Sequence, residues 1–111
     1  MEIEIKRVSD LPTQTVKGHN GFIDRLLVSV PEKGVTLRLL NVTPGGIGPV
    51  PSHSHLEKHF FWVLDGILEV EIDGRLYELP SGSCVVVPPQ CQHQLRCLNN
   101  EPVNVLAMKW K

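Results

Sequence analysis

In the segment from Ile67 to Asp73, apolar and acidic residues alternate from Leu68 onward: Leu68, Val70 and Ile72 fall on one side, Glu69, Glu71 and Asp73 on the other. A period of two is the signature of a strand with one face buried and one face wet. The nine glycines and nine prolines punctuate the rest of the chain about every eight to twelve residues. Between those breaks, strands are expected over 3–8, 22–30, 35–43, 50–55, 59–64, 76–79, 83–87, 93–98 and 103–109. The Pro44-Gly45-Gly46 and Pro88-Pro89 segments are expected to end strands, because proline donates no ladder hydrogen bond. Asp65-Gly66 and Asp73-Gly74 suit tight hairpins, where glycine supplies the positive φ. No stretch of eleven or more residues carries a 3.6-residue apolar stripe. Many short antiparallel strands predict an all-β sandwich or barrel, which hides its own edges.

A chain of 111 residues has room for one core, so a single domain over 1–111 is expected. With 41% apolar residues, 21% charged residues and a net charge of −1, it reads neither as a disordered tail nor as a basic nucleic-acid binder. The longest apolar runs, such as Phe60 to Leu64, are too short for a membrane-spanning helix. The opening MEIEIKR alternates and carries acids, unlike a signal peptide. Cys84, Cys91 and Cys97 are odd in number and form no CxxC pair, which points to a reducing, cytoplasmic setting.

The histidines carry the chemical information. His53 and His55 are two apart and would leave one face of a strand together. His59 opens the next strand, and His93 opens another just after Pro88-Pro89-Gln90. A lone strand histidine is ordinarily a surface or satisfied core residue, but four gathered inside a barrel suit a divalent metal. His19, in Lys17-Gly18-His19-Asn20-Gly21, has no such company and reads as a surface residue.

From residue 44 to about 97 the arrangement resembles the cupin superfamily. His53-Ser54-His55, a ligand position at 59 and Gly66 match the spacing of its first motif; Gly82, Pro88 and His93 match the second. The resemblance implies a double-stranded β-helix, or jelly-roll, barrel core over about 22–109, often a homodimer, holding one divalent metal at its mouth. It implies His53, His55, His59 and His93 as ligands. The sequence departs from the family pattern where His59 stands for a glutamate, Gln90 for a glycine and Cys97 for an asparagine, and the glycine before His53 is out of register. Glu57 is a rival for the glutamate role, but it lies only two residues beyond His55. The set is thus similar to four-histidine cupins, which include manganese-binding single-domain proteins and a zinc-containing polyketide cyclase.

Four neutral imidazoles leave the ion's full charge uncompensated by protein. That favours the divalent state, strengthens Lewis acidity and attracts an anionic chelating substrate. Six-coordination leaves two adjacent positions open, whereas tetrahedral zinc would be closed and structural. The open site is the expectation; manganese, iron, nickel and zinc all accept imidazole.

Parity places Phe61, Val63, Leu95 and Cys97 on the ligand side, giving an apolar pocket with Arg38 as a candidate anion contact. No general base is evident. Gln90, Gln92 and Gln94 flank His93 and could bond an imidazole or a bound water. Cys97 reads as a small core residue, and Cys91 as an exposed thiol open to oxidation. Phe60, Trp62 and Leu64 line the opposite face, which a second sheet or a second copy must cover. A homodimer exchanging the strand at 3–8 is expected.

Three classes of function follow. The leading one is a metal-dependent enzyme acting on a small chelating organic molecule, dioxygenase-like or an isomerase or cyclase. The alternatives are a non-catalytic module that binds a small ligand or the metal, and a barrel merely stapled by its ion.

Overall fold

A computed structural model describes residues 2–111, with the side chain of His53 outside the description. Eight strands account for the fold: β1 (Asn20–Val30), β2 (Val35–His53), β3 (Lys58–Asp65), β4 (Ile67–Ile72), β5 (Arg75–Pro80), β6 (Cys84–Val87), β7 (His93–Arg96) and β8 (Val103–Trp110). Short 3-10 turns at Val8–Asp10 and Pro31–Lys33 are the only helical segments among the described residues. All strand pairs are antiparallel and run in the order β5-β4-β7-β2-β8-β3-β6, with β1 on the free side of β2. The result is a jelly-roll barrel, closed apart from its short edges.

The nineteen residues of β2 hold the two walls together. Its first half pairs with β1 and β8, as in Leu40 against Asp24 and Val105. Its second half pairs with β7, as in Gly48 against Leu95 and His53 against His93. The sequence reading ended a strand at Pro44-Gly45-Gly46, but the chain passes through it as one bent strand. Gly45, at φ 81°, takes the bend, and ladder bonds resume at once: Cys97 exchanges bonds with Gly45 and Gly46.

Two further expectations are corrected. Asp73-Gly74 does close the β4–β5 hairpin, with both residues at positive φ. Asp65-Gly66 does not close one: β3 pairs with β6 and β8, and β4 with β5 and β7. Gly66 instead turns the chain from one wall to the other, against the backbone of Pro102 and Val103, where a Cβ would lie 2.8 Å from an oxygen. The expected strand at 3–8 is also not formed within the chain. Ile3 and Ile5 stand exposed there, because the chain supplies no neighbour for their apolar side.

The alternation of β4 is realised. Leu68 and Val70 are fully buried, in a core shared with Phe22, Val42, Phe61, Val63, Val87 and Val105. On the other side, Arg96 binds Glu69 at 3.0 Å, Glu71 and the amide oxygen of Gln94. The core rigidly fixes the strand ends from which the histidines project.

Candidate metal centre

Three different parts of the chain deliver histidines to one end of the barrel. His55 sits in the loop after β2, His59 opens the ladder of β3 between Val87 and Lys109, and His93 begins β7 beside Ile72. The ligand nitrogens of His55, His59 and His93 lie within 4.8 Å of one another. Ring centroids are 4.6 Å apart for His55 and His59, 4.8 Å for His59 and His93, and 5.4 Å for His55 and His93. Metal–nitrogen bonds of about 2.0–2.1 Å set neighbouring ligand nitrogens about 3 Å apart, so ligand atoms within 4.8 Å of one another are near the spacing an ion would need. The side chain of His53, the fourth expected ligand, lies outside the described residues; its backbone pairs with His93.

The donor chemistry fits a divalent metal. His93 is buried and His55 half-buried. Burial pushes both imidazoles below the ordinary histidine range. For His55 the Lys109 ammonium adds to that effect and Glu57 opposes it. For His93 a backbone contact from the Cys91 carbonyl opposes it, while His55 and His19 reinforce it. Neutral imidazoles at neutral pH are what a metal requires of them. Where Nδ1 of His93 carries its proton toward the Cys91 carbonyl, 3.4 Å away, Nε2 is the ligand atom. Glu57 is not part of the trio: its carboxylate is directed to Lys109, at 3.9 Å.

The histidines form one end of a cavity of about 410 Å³. Its walls include Phe61 and Leu95, as parity implied, together with Val16, Phe22 and Leu40. Val63 and Cys97 share that parity but are fully buried deeper in the core and do not line the cavity. Cys97 packs with its thiol 3.2 Å from the Glu101 carbonyl.

Arg38 lines the cavity, but not as a free anion contact. Its Nη1 donates at 2.5 Å to Oδ2 of Asp24, which is 3% exposed. Gln14 donates to the same oxygen at 2.9 Å, and its backbone pairs with that of Asp24 in both directions. Asp24 was missed by sequence reading because it lies on β1, remote in sequence from every histidine. Its strand parity with the buried Phe22 was the available signal.

His19 is also corrected. It lines the cavity, stands edge-on to Phe22 at 4.7 Å, and its Nδ1 contacts the Lys17 carbonyl at 2.9 Å. The bare backbone of Gly48 admits its ring: a Cβ there would be 2.2 Å from Cδ2. Gln94 faces away from the imidazoles, bonding the Pro49 carbonyl at 2.9 Å and Arg96. Gln92 engages Asp73 through its backbone. Cys91 is half-buried against the core, not exposed, and burial with the hydrogen bond to Asp73 raises its thiol pKa. All three cysteines are free.

With the geometry in place, comparison with known proteins is direct. A segment of 55 residues, half of this chain, is 33% identical to an uncharacterized HTH-type transcriptional regulator, YobQ, of Bacillus subtilis, and covers 23% of that protein. The chain thus spans about a quarter of that relative's length. Among solved structures, the polyketide cyclase RemF of Streptomyces resistomycificus is similar at a TM-score of 0.86 and 21% identity, over 98% of this chain and 80% of that one. A predicted oxalate decarboxylase from Thermotoga maritima is similar at 0.85 and 17% identity, over 96% and 98% of the two chains. These likenesses concern the fold. The Cupin_2 cupin domain matches residues 38–109, from Arg38 on β2 through the last histidine to β8, and the chain belongs to that family.

Proposed function

We propose that this cupin holds one divalent metal ion on His53, His55, His59 and His93 and acts on a small chelating organic molecule bound in the cavity, with dioxygenase-like chemistry the leading class. The observation that carries the reading is the convergence of three imidazoles, with ligand atoms within 4.8 Å, at the end of an apolar-walled cavity of about 410 Å³. A divalent ion held by these residues would supply Lewis acidity toward a chelating ligand. The protein's own part is to keep the imidazoles neutral by burial, to exclude water with Phe61 and Leu95, and to hold the ligand's body against that apolar wall. Manganese, iron, nickel and zinc all suit the donor set.

A second reading has its own support. The likeness to part of a transcriptional regulator favours a non-catalytic module that binds a small ligand. Metal analysis of protein purified without added metal, followed by dioxygen uptake with 1,3-diketones, catechols and flavonols, separates the two. Uptake supports the enzyme; retained metal and ligand binding without turnover support the module. Loss of fold on chelation would support a structural ion instead.

We also propose a homodimer in a cytoplasmic setting as the working form. Trp62 and Leu64 stand about 40% exposed on the outer face of β3, next to Val86. No helix among the described residues is long and apolar enough to cross a membrane.

A further inference from the structure

The cavity wall is charged against the sign of the whole chain. The protein carries a net charge of −1, yet the lining residues include Lys17, Arg38 and Lys109 against one carboxylate, Asp24. Arg38 is paired with Oδ2 of Asp24, two residues along β2 from the Thr36–Lys109 pair. The cationic excess is therefore carried by the two lysines.

Lys109 is the better placed of them. Its backbone stands opposite both Thr36 and His59, so it belongs to the rung of the barrel that carries a candidate ligand. Its ammonium acts electrostatically on His55. Its one ion-pair partner among the described residues is Glu57, at a loose 3.9 Å, with the Lys109 side chain 40% exposed. A flexible ammonium on a concave, low-dielectric wall attracts an anion far more strongly than one on a convex surface.

We propose that Lys109 selects the ligand: the cavity takes a small organic anion whose carboxylate or enolate lies against Lys109, next to its metal-chelating group, with an apolar body against Phe61 and Leu95. The assignment rests on the metal-site reading above and narrows it to anionic ligands. It also moves the anion contact from Arg38, which Asp24 pairs, to Lys109.

The test uses metal-directed probes: benzohydroxamate, and its ring-substituted 3-carboxylate and 3-carboxamide, titrated calorimetrically into manganese-loaded full-length protein. The carboxylate is expected to bind about tenfold tighter than the isosteric carboxamide, and raising salt from 50 to 500 mM should shrink that gap, roughly as charge screening requires. Lys109→Met, with its fold confirmed by circular dichroism, should erase the preference, and Lys109→Glu should reverse it. Equal binding of carboxylate and carboxamide by the unaltered protein overturns the assignment without any variant. So does a preference that survives Lys109→Met. Failure of every probe to bind, with or without metal, overturns the metal-site reading and this inference together, which distinguishes that failure from a loss of preference alone.

Discussion

The backbone N–H of Gln90 donates to the carbonyl of His55 at 2.7 Å, so the loop bearing one candidate ligand is tied to the turn that delivers another, His93. Gln90 makes this bond from a left-handed conformation, at φ 67°. A side chain in that region costs about 1–2 kcal/mol, and glycine would relieve it at a chain-entropy cost of about 0.5–1 kcal/mol. Gln90→Gly should therefore stabilise the protein by up to about 1 kcal/mol, and β-branched Gln90→Val should destabilise it by about 1–2 kcal/mol. Urea denaturation checks both; a stabler valine variant would contradict the assigned strain.

Removing a single imidazole should cost more metal affinity than the roughly 10–100-fold lost when a supporting hydrogen bond to a ligand is removed. His59→Ala and His93→Ala are expected to lose the ion on dialysis, and His53→Ala to do the same. Metal content by plasma emission, with circular dichroism to confirm folding, reads this. Full occupancy in any one variant removes that residue from the ligand set.

Acid should destabilise the metal-free protein through His55 and His93. Burial holds both below the ordinary histidine value of 6.5 in the folded state. As pH falls through that value, the unfolded chain takes up protons first, and so gains on the folded one. Their contribution is fully present above the ordinary histidine range and is lost as pH falls through the lowered folded values. Chelator-treated protein should show its midpoint urea concentration falling between pH 7 and pH 5. A double His55→Gln, His93→Gln variant should show a shallower fall.

The outer face of β3 offers a further check. Trp62, at 42% exposure, and Leu64, at 40%, are large apolar groups that solvent alone covers within one chain. Light scattering is expected to give twice the 12.4 kDa chain mass. Trp62→Glu should shift the population to single chains, because a buried unpaired carboxylate costs several kcal/mol at an interface. A single-chain mass for the unaltered protein would dismiss the dimer.

Thiol labelling should follow burial. Cys84 is exposed, Cys91 is half-buried with a raised thiol pKa, and Cys97 is fully buried. Maleimide at pH 7.5 is expected to modify Cys84 first, then Cys91, with Cys97 protected until unfolding. Peptide mapping gives the order.

The strands were legible because period-two alternation is a local property, and glycine and proline mark where it stops. What could not be read was which strand each turn leads to. Asp65-Gly66 and Asp73-Gly74 are chemically alike, yet one changes wall and the other closes a hairpin, a difference set by the backbone of Val103 packing against Gly66. Likewise, parity put Phe61 and Val63 on one side but could not say how deep the cavity reaches. Histidine spacing exposed His55, His59 and His93 together, whereas Asp24 and His19 join the cavity only through tertiary folding of the N-terminal third.

Strand β2 supplies Arg38, Leu40 and Pro49 to the cavity wall before running on to His53. One uninterrupted segment thus joins the wall that carries the Arg38–Asp24 pair to the wall on which His93 begins. A slip of register near Gly45 would therefore be felt in both walls at once, because β2 is laddered to β1 and β8 before that bend and to β7 after it.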